Sequence, residues 1–364
     1  MSTERVLTTR MPPLAVAGAV TIALAATAVA VLAVLRPPPN GAAAPPPPRP
    51  AVPLADAAAA PAVPPAVTCP TPTVRVRGAN RLAAALDRVR PGTSIALADG
   101  VYGGRFTLRA GGTAAAPVYL CGGPRAVLDA GSRAAGEVLR LVDLAHVRLV
   151  GFTVRNGLRG LVLDGARRVV VQGLTVERTG ETAIHLRRFA SDNVVQGSTV
   201  RRAGLLRPYS GVGIRVGTPA THWCAVADCE PDAADRNVIQ GNRVSATTAE
   251  AVEAHEGTTG GRIADNTFDG SRLAGTTADA WVDLKGNRWR VTDNRGRLSR
   301  GDGFQTHSPV DGWGTGNLFA GNAAQVDGPG WAFHFDPVLG NRVACDNTST
   351  GARRGLANVA CAAG

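Results

Sequence analysis

Apolar residues in the bulk of the chain come in short runs such as Val169-Val170-Val171 and Val194-Val195, with Gly, Asn and Asp between them. No stretch there sustains a three-to-four spacing, so short strands joined by tight corners are predicted. The strands recur. Gly151-Phe152-Thr153-Val154, Gly173-Leu174-Thr175-Val176, Gly197-Ser198-Thr199-Val200 and Gly241-Asn242-Arg243-Val244 lead to Asp265-Asn266-Thr267-Phe268, Asp293-Asn294, Gly321-Asn322 and Asp346-Asn347. The steps are 22, 24, 44, 24, 28, 28 and 25 residues. A repeat of this length made only of short strands predicts an all-β fold, a single-stranded right-handed parallel β-helix whose turns stack about 4.8 Å apart. The long step holds Leu205 to Arg236, read as an insertion in one turn. Asn at one corner of five successive turns predicts an internal hydrogen-bonded ladder.

The open end of such a stack needs a cover. Leu82, Ala85, Leu86 and Val89 follow Asn80 at helical spacing, which predicts a short N-terminal capping helix. Upstream, the 23 residues from Pro13 to Leu35 carry no charge and are flanked by Arg5, Arg10 and Arg36. That length suits one transmembrane signal anchor, with residues 1–12 in the cytoplasm. Ala28-Val29-Ala30 and Ala42-Ala43-Ala44 leave cleavage open, in which case the protein is secreted. Residues 36–68 hold twelve prolines and form a Pro/Ala-rich linker that cannot bury a core. Residues 69–364 are then one extracytoplasmic β-helix domain, expected to be a monomer.

All six cysteines lie in that domain, and an even count in an exported protein reads as disulfides. Fifteen connectivities are possible, and chain order suggests Cys69 to Cys121, Cys224 to Cys229 and Cys345 to Cys361. The net charge of +11 favours an anionic partner. No nucleic-acid-binding fold is visible, so an acidic polysaccharide is the expected partner.

The opening segment carries a resemblance. Its Ala-rich helix, Pro91-Gly92-Thr93, Asp99-Gly100-Val101-Tyr102, and Gly112-Thr113 before Pro117-Val118-Tyr119-Leu120 resemble the start of pectate-lyase-like β-helix proteins. That group includes exported polysaccharide lyases of the pectate, alginate and chondroitin type. The resemblance covers roughly residues 75 to 360 and implies the fold more strongly than the activity.

Of 39 basic residues one is a lysine, Lys285, within Trp281-Val282-Asp283-Leu284-Lys285-Gly286. Arg cannot release its proton near neutral pH, whereas Lys with a depressed pKa serves as a base. Aligning the strands on their inward residues puts His185, Arg215, His255, Lys285, His307 and His334 in one outward column. Glu253 and Asp283 lie two positions earlier on adjacent turns, with Glu250, Glu256 and Asp279 near the strand ends. Such carboxylates repel unless a cation neutralises them, and Ca2+ held by Glu253, Asp283 and Asp279 is one candidate. The structural alternative is that Asp283 simply pairs with Lys285 or Arg288.

Uronic-acid glycans are cleaved by β-elimination, in which a base removes the C5 proton and the C4 oxygen leaves. The expected parts are Lys285 as base, His307 or His255 as acid, and Arg215 or Arg288 holding substrate carboxylates. His185, His334, Trp281 and Trp313 are the further substrate-binding candidates. The resemblance to calcium-dependent members supports a lysine base, but their full set of metal-binding carboxylates is not found. A membrane-tethered binding protein without catalysis, stacking sugars on Trp281, Trp289, Trp313 and Trp331, is the main alternative. A glycoside hydrolase using Glu253 and Asp283 ranks lower, because neither Asn-Thr-Asp nor Gly-His-Gly occurs.

Overall fold

The computed structural model describes residues 65–274 and 279–362. The expected tail, the anchor and nearly all of the linker lie outside those residues. Among the described residues no helix is long and apolar enough to cross a membrane.

Three parallel sheets of eleven, ten and ten strands wind about one core in a β-helix of about ten turns. The first sheet runs from Val74–Val76 to Arg342–Val343, the second from Gly100–Gly103 to Thr348–Ala352, and the third from Phe106–Leu108 to Gly355–Ala357. Most strands are three residues long, so each commits one or two side chains inward. In the first sheet the inward row is Leu149, Val171, Val195, Ile239, Ile263, Val291, Phe319 and Val343, each paired with the next. None of them is more than 1% exposed. Full burial of each such side chain contributes about 1.5–3 kcal/mol.

The predicted helix spans Ala79–Leu86 and closes the stack with Leu82 and Leu86. It starts after Gly78, so Asn80 lies within its first turn. The disulfides pair as chain order suggested: Cys69–Cys121, Cys224–Cys229 and Cys345–Cys361. Domain contacts begin slightly before Cys69. Val67 exchanges hydrogen bonds of 2.7 and 2.9 Å with the Gln172 side chain and packs on Val170, Val194 and Val238, outside the first sheet.

The expected Asn ladder is present. The backbone N–H of Asn242, Asn266, Asn294 and Asn322 donates to the side-chain oxygen of Asn266, Asn294, Asn322 and Asn347 in turn, at 2.9–3.0 Å. The side-chain amides donate both up the ladder and to strand carbonyls. A second ladder, which the repeat did not reveal, occupies the corner before the first sheet. It links Asn193 to Asn237 and Asn317 to Asn341.

Between those two halves stands Trp289, whose backbone N–H donates to the Asn317 side-chain oxygen at 2.7 Å. Trp289 and Trp281 are both fully buried, which corrects their expected role as sugar platforms. Their rings fill space left by glycines on adjacent turns: a Cβ at Gly261 would strike Trp289, and one at Gly296 would strike Trp281. Their indole N–H groups are satisfied internally, by Thr258 Oγ1 at 3.2 Å and the Arg297 carbonyl at 3.1 Å. Trp313 and Trp331 are half-buried.

The insertion contains the strand that carries Arg215, as the strand alignment expected. This strand, Ile214–Val216 of the third sheet, has one excursion before it and another after it.

Asn294→Ala removes one rung and leaves buried backbone and amide groups without partners. A loss of about 2–4 kcal/mol is expected in urea unfolding, whereas Ala at the exposed Arg243 should change stability by less than about 0.5 kcal/mol.

Candidate functional site

The outer face of the third sheet gathers the expected residues, but in two rows. Strand pairing aligns His185, Arg215, Glu253, Asp283, Gln305 and His334. The next outward position holds His255, Lys285 and His307, flanked by Arg187 and Asp336. The single cationic column is therefore corrected. Outward positions repeat every second residue, so an alignment shifted by two satisfies the apolar alternation equally well. In the true register Arg215, Lys285 and His307 each contact a carboxylate.

Glu253 is the centre of this network. Its carboxylate accepts from Arg215 Nε at 2.9 Å and from Lys285 Nζ at 2.6 Å. Lys285 Nζ also meets Asp283 Oδ2 at 2.7 Å, and the other Asp283 oxygen lies 2.8 Å from His307 Nδ1. His255 places Nε2 3.3 Å from Glu253 and Nδ1 3.5 Å from Glu256. Neither contact is aligned as a hydrogen bond, so both ring nitrogens of this buried histidine lack a hydrogen-bond partner among the described residues. Glu256 itself accepts from the Ala220 N–H at 2.6 Å, tying the second excursion to the site.

Burial disfavours the Lys285 ammonium, but Asp283, Glu253 and Glu250 outweigh it and raise its pKa. The expectation of a lysine with depressed pKa is thus corrected, because two carboxylates in contact hold its proton in place. Burial likewise opposes ionisation of Glu253 and Asp283. It is overcome in Glu253 by His255, Lys285 and Arg215, and in Asp283 by Lys285 and His307, so both carboxyls titrate below their usual range. The hydrogen bond to Asp283 raises the His307 pKa against partial burial. Glu250, buried and facing Glu253 and Asp283, is pushed up to about 8.

The remaining candidates lie around this cluster. Asp279 accepts from Gln305 Nε2 at 3.3 Å, and burial raises its pKa. His334 Nδ1 lies 2.8 Å from Asp302. His185 is buried, bonded through Nε2 to the Gly217 carbonyl at 2.9 Å, and burial with Arg215 nearby holds it neutral. It cannot reach a substrate, which corrects its assignment as a ligand. Arg288 is exposed at the corner beyond Lys285. There Asn287 bonds the Gly312 carbonyl and the Thr315 N–H, both at 3.0 Å, and holds the loop carrying Trp313 beside the site.

These residues do not fit a calcium site as arranged. Lys285 Nζ sits where a cation shared by Glu253 and Asp283 would sit, and Asp279 is engaged elsewhere. Among the described residues no group of three or more His, Cys, Asp or Glu side chains is disposed to hold a metal ion.

The fold is thus a parallel β-helix that carries a linked cluster of charged side chains on the outer face of its third sheet. The alginate lyase of Paenibacillus sp. str. FPU-7 is 30% identical over 78% of this chain and 96% of its own, with a TM-score of 0.73. The chain belongs to the pectate-lyase-like β-helix family. Pectate lyase Pel9A is 14% identical over 79% of this chain and 78% of its own, with a TM-score of 0.57. PfbA, a surface adhesin of Streptococcus pneumoniae, is 13% identical over 77% and 75%, at 0.55. These two share the fold alone. No protein-family model matches the sequence, and no curated protein does.

Lys285→Met removes the cation between Glu253 and Asp283, leaving Arg215 on one carboxylate and His307 on the other, and should cost about 3–5 kcal/mol, read by urea unfolding at pH 7. Glu250 tests the field in the opposite sense. Its folded pKa is raised to about 8, so the folded state holds an extra proton and stability falls as pH rises from the unfolded carboxyl value to about 8. Glu250→Gln should accordingly stabilise the protein more at pH 8.5 than at pH 5, read as the difference in melting temperature.

Proposed function

We propose that the protein is an extracytoplasmic polysaccharide lyase that cleaves a uronic-acid glycan by β-elimination. The carrying observation is the linked Glu253–Lys285–Asp283–His307 cluster, in a chain similar to an alginate lyase over nearly that enzyme's whole length. The geometry supports a division of roles that differs from a lysine base. Asp283 holds Nδ1 of His307 and leaves Nε2 directed away from the pair, the usual arrangement of an oriented histidine base. The His307 side chain is also the most accessible of the cluster, at 39% against 17% for Lys285. His307 Nε2 takes the C5 proton, the C5 electron pair forms the C4–C5 double bond, and the C4–O bond breaks. The imidazolium then returns its proton to the leaving oxygen.

Lys285 keeps its proton and neutralises the uronate carboxylate as charge develops, the part that calcium would otherwise supply. Arg215 and Arg288 are the candidate contacts for carboxylates of neighbouring sugars. The three disulfides fit an oxidising compartment, and the apolar N-terminal segment would tether the domain to the outer face of a membrane.

The test is absorbance near 235 nm from the unsaturated product, on alginate, pectate and glycosaminoglycans. Wild type should produce it with or without EDTA. His307→Ala should lose at least about a hundredfold in rate, while Lys285→Arg should keep part of it. The rate should rise with pH through the elevated His307 pKa, and Asp283→Asn should shift that limb to lower pH. Absence of product from all of these polymers, with binding to one retained, would replace this reading with a tethered glycan-binding protein. Full activity in His307→Ala with none in Lys285→Arg would restore lysine as base.

A further inference from the structure

Away from the cluster, the corner between the third and first sheets opens into a groove of about 580 Å³, lined by Arg167, Arg168, Arg236, Phe189, Ser191 and Asp192. Strand pairing places these residues on three successive turns, through Val170, Val194 and Val238. The Arg236 corner is two turns before that of Arg288, so about 10 Å along the axis separates the groove from the level of Lys285. The groove is thus outside the reaction site but on the same side of the stack.

Its charge is unbalanced. Arg236 is paired with Asp192 at 2.7 and 2.9 Å, whereas Arg167 and Arg168 have no carboxylate within 4.0 Å among the described residues. Arg148 adds a further cation, bonded to the Arg168 carbonyl at 2.8 Å. Nearby His146 feels this field: its pKa is lowered by burial and then by Arg168 and Arg148. The backbone adds a separate observation. Arg168 and Arg236 adopt left-handed φ of 53° and 52°, at a corner where Asp192 and Arg288 do likewise and Gly260, Gly316 and Gly340 stand on other later turns. Glycine takes that conformation at least cost, so arginine there is held against local preference. Half-buried Phe189 supplies an apolar wall beside the cations.

We infer that this groove is a second binding site for a polyanionic glycan, gripping carboxylate-bearing sugars of a chain at a distance from the reaction site. Arg167 and Arg168 supply the free guanidinium groups, and the Phe189 ring takes a sugar face. The choice of glycan as occupant rests on the lyase reading; the excess of unpaired cations in the groove does not.

The test uses the full-length protein in gel electrophoresis through immobilised alginate or pectate. Arg167→Gln/Arg168→Gln is compared with the parent, in the wild-type and in the His307→Ala background, where polymer should remain uncut. Retardation should fall about tenfold in apparent affinity in both backgrounds, with an unchanged melting temperature and unchanged turnover of short oligosaccharides. Undiminished retardation by every anionic polymer, or equal retardation by a neutral glucan, would overturn the inference. If no polymer is cleaved even by wild type, the lyase reading fails while the retardation series still reports on the groove.

Discussion

The structure depends on the parallel backbone pairing that stacks each turn about 4.8 Å above the last. Once the turns are in register, every position along the chain becomes a row, and each side chain must be compatible with its equivalents above and below. Apolar rows are self-compatible, and the inward residues from Leu149 to Val343 form a continuous core. Asparagine is self-compatible for a different reason. Its amide donates and accepts at once, so Asn242 through Asn347 pass a hydrogen bond from turn to turn inside the core. Trp281 and Trp289 are tolerated only because Gly296 and Gly261 vacate the adjacent volume.

Charged rows are not self-compatible, and the third sheet shows the consequence. Glu253 and Asp283 are direct neighbours on adjacent strands, an arrangement that repulsion would raise in energy without a cation between them. Lys285 occupies that position. A primary ammonium reaches two carboxylates from one point, with one proton for each oxygen, whereas a planar guanidinium presents a fork. The single lysine in an arginine-rich chain thus has a geometric reason for its identity. The same contacts that hold the cluster together fix the protonation of Lys285 and orient His307, so stability and the proposed chemistry draw on one network.

Much of this was legible in the sequence. The spacing of Gly-Asn and Asp-Asn corners contained the solenoid, the ladder and the inserted turn, because row compatibility writes itself into the sequence as a period. Cysteine order suggested the disulfides, since Cys224–Cys229 closes a five-residue span inside an excursion and the other two bridges staple the two ends of the stack. The members of the cluster were also recognisable as charged residues on alternating strand positions. The partnership of Asp302 with His334 was not legible, because it forms across turns, and the second Asn ladder was hidden because Trp289 and Gly261 interrupt it.

By itself the sequence determined the fold class, the repeat and which residue types face outward, because two-residue alternation and the turn period are local properties of the chain. Only the tertiary structure decided which outward position on one strand meets which on the next. A shift of two residues preserves the alternation, yet it exchanges a column of cations for rows in which Lys285 lies between Glu253 and Asp283. It also decided burial: Trp281 and His185 are outward-compatible by pattern but enclosed in fact. The protonation of Lys285 follows from that placement, since a pKa depends on charges a few ångströms away in space and not on neighbours along the chain.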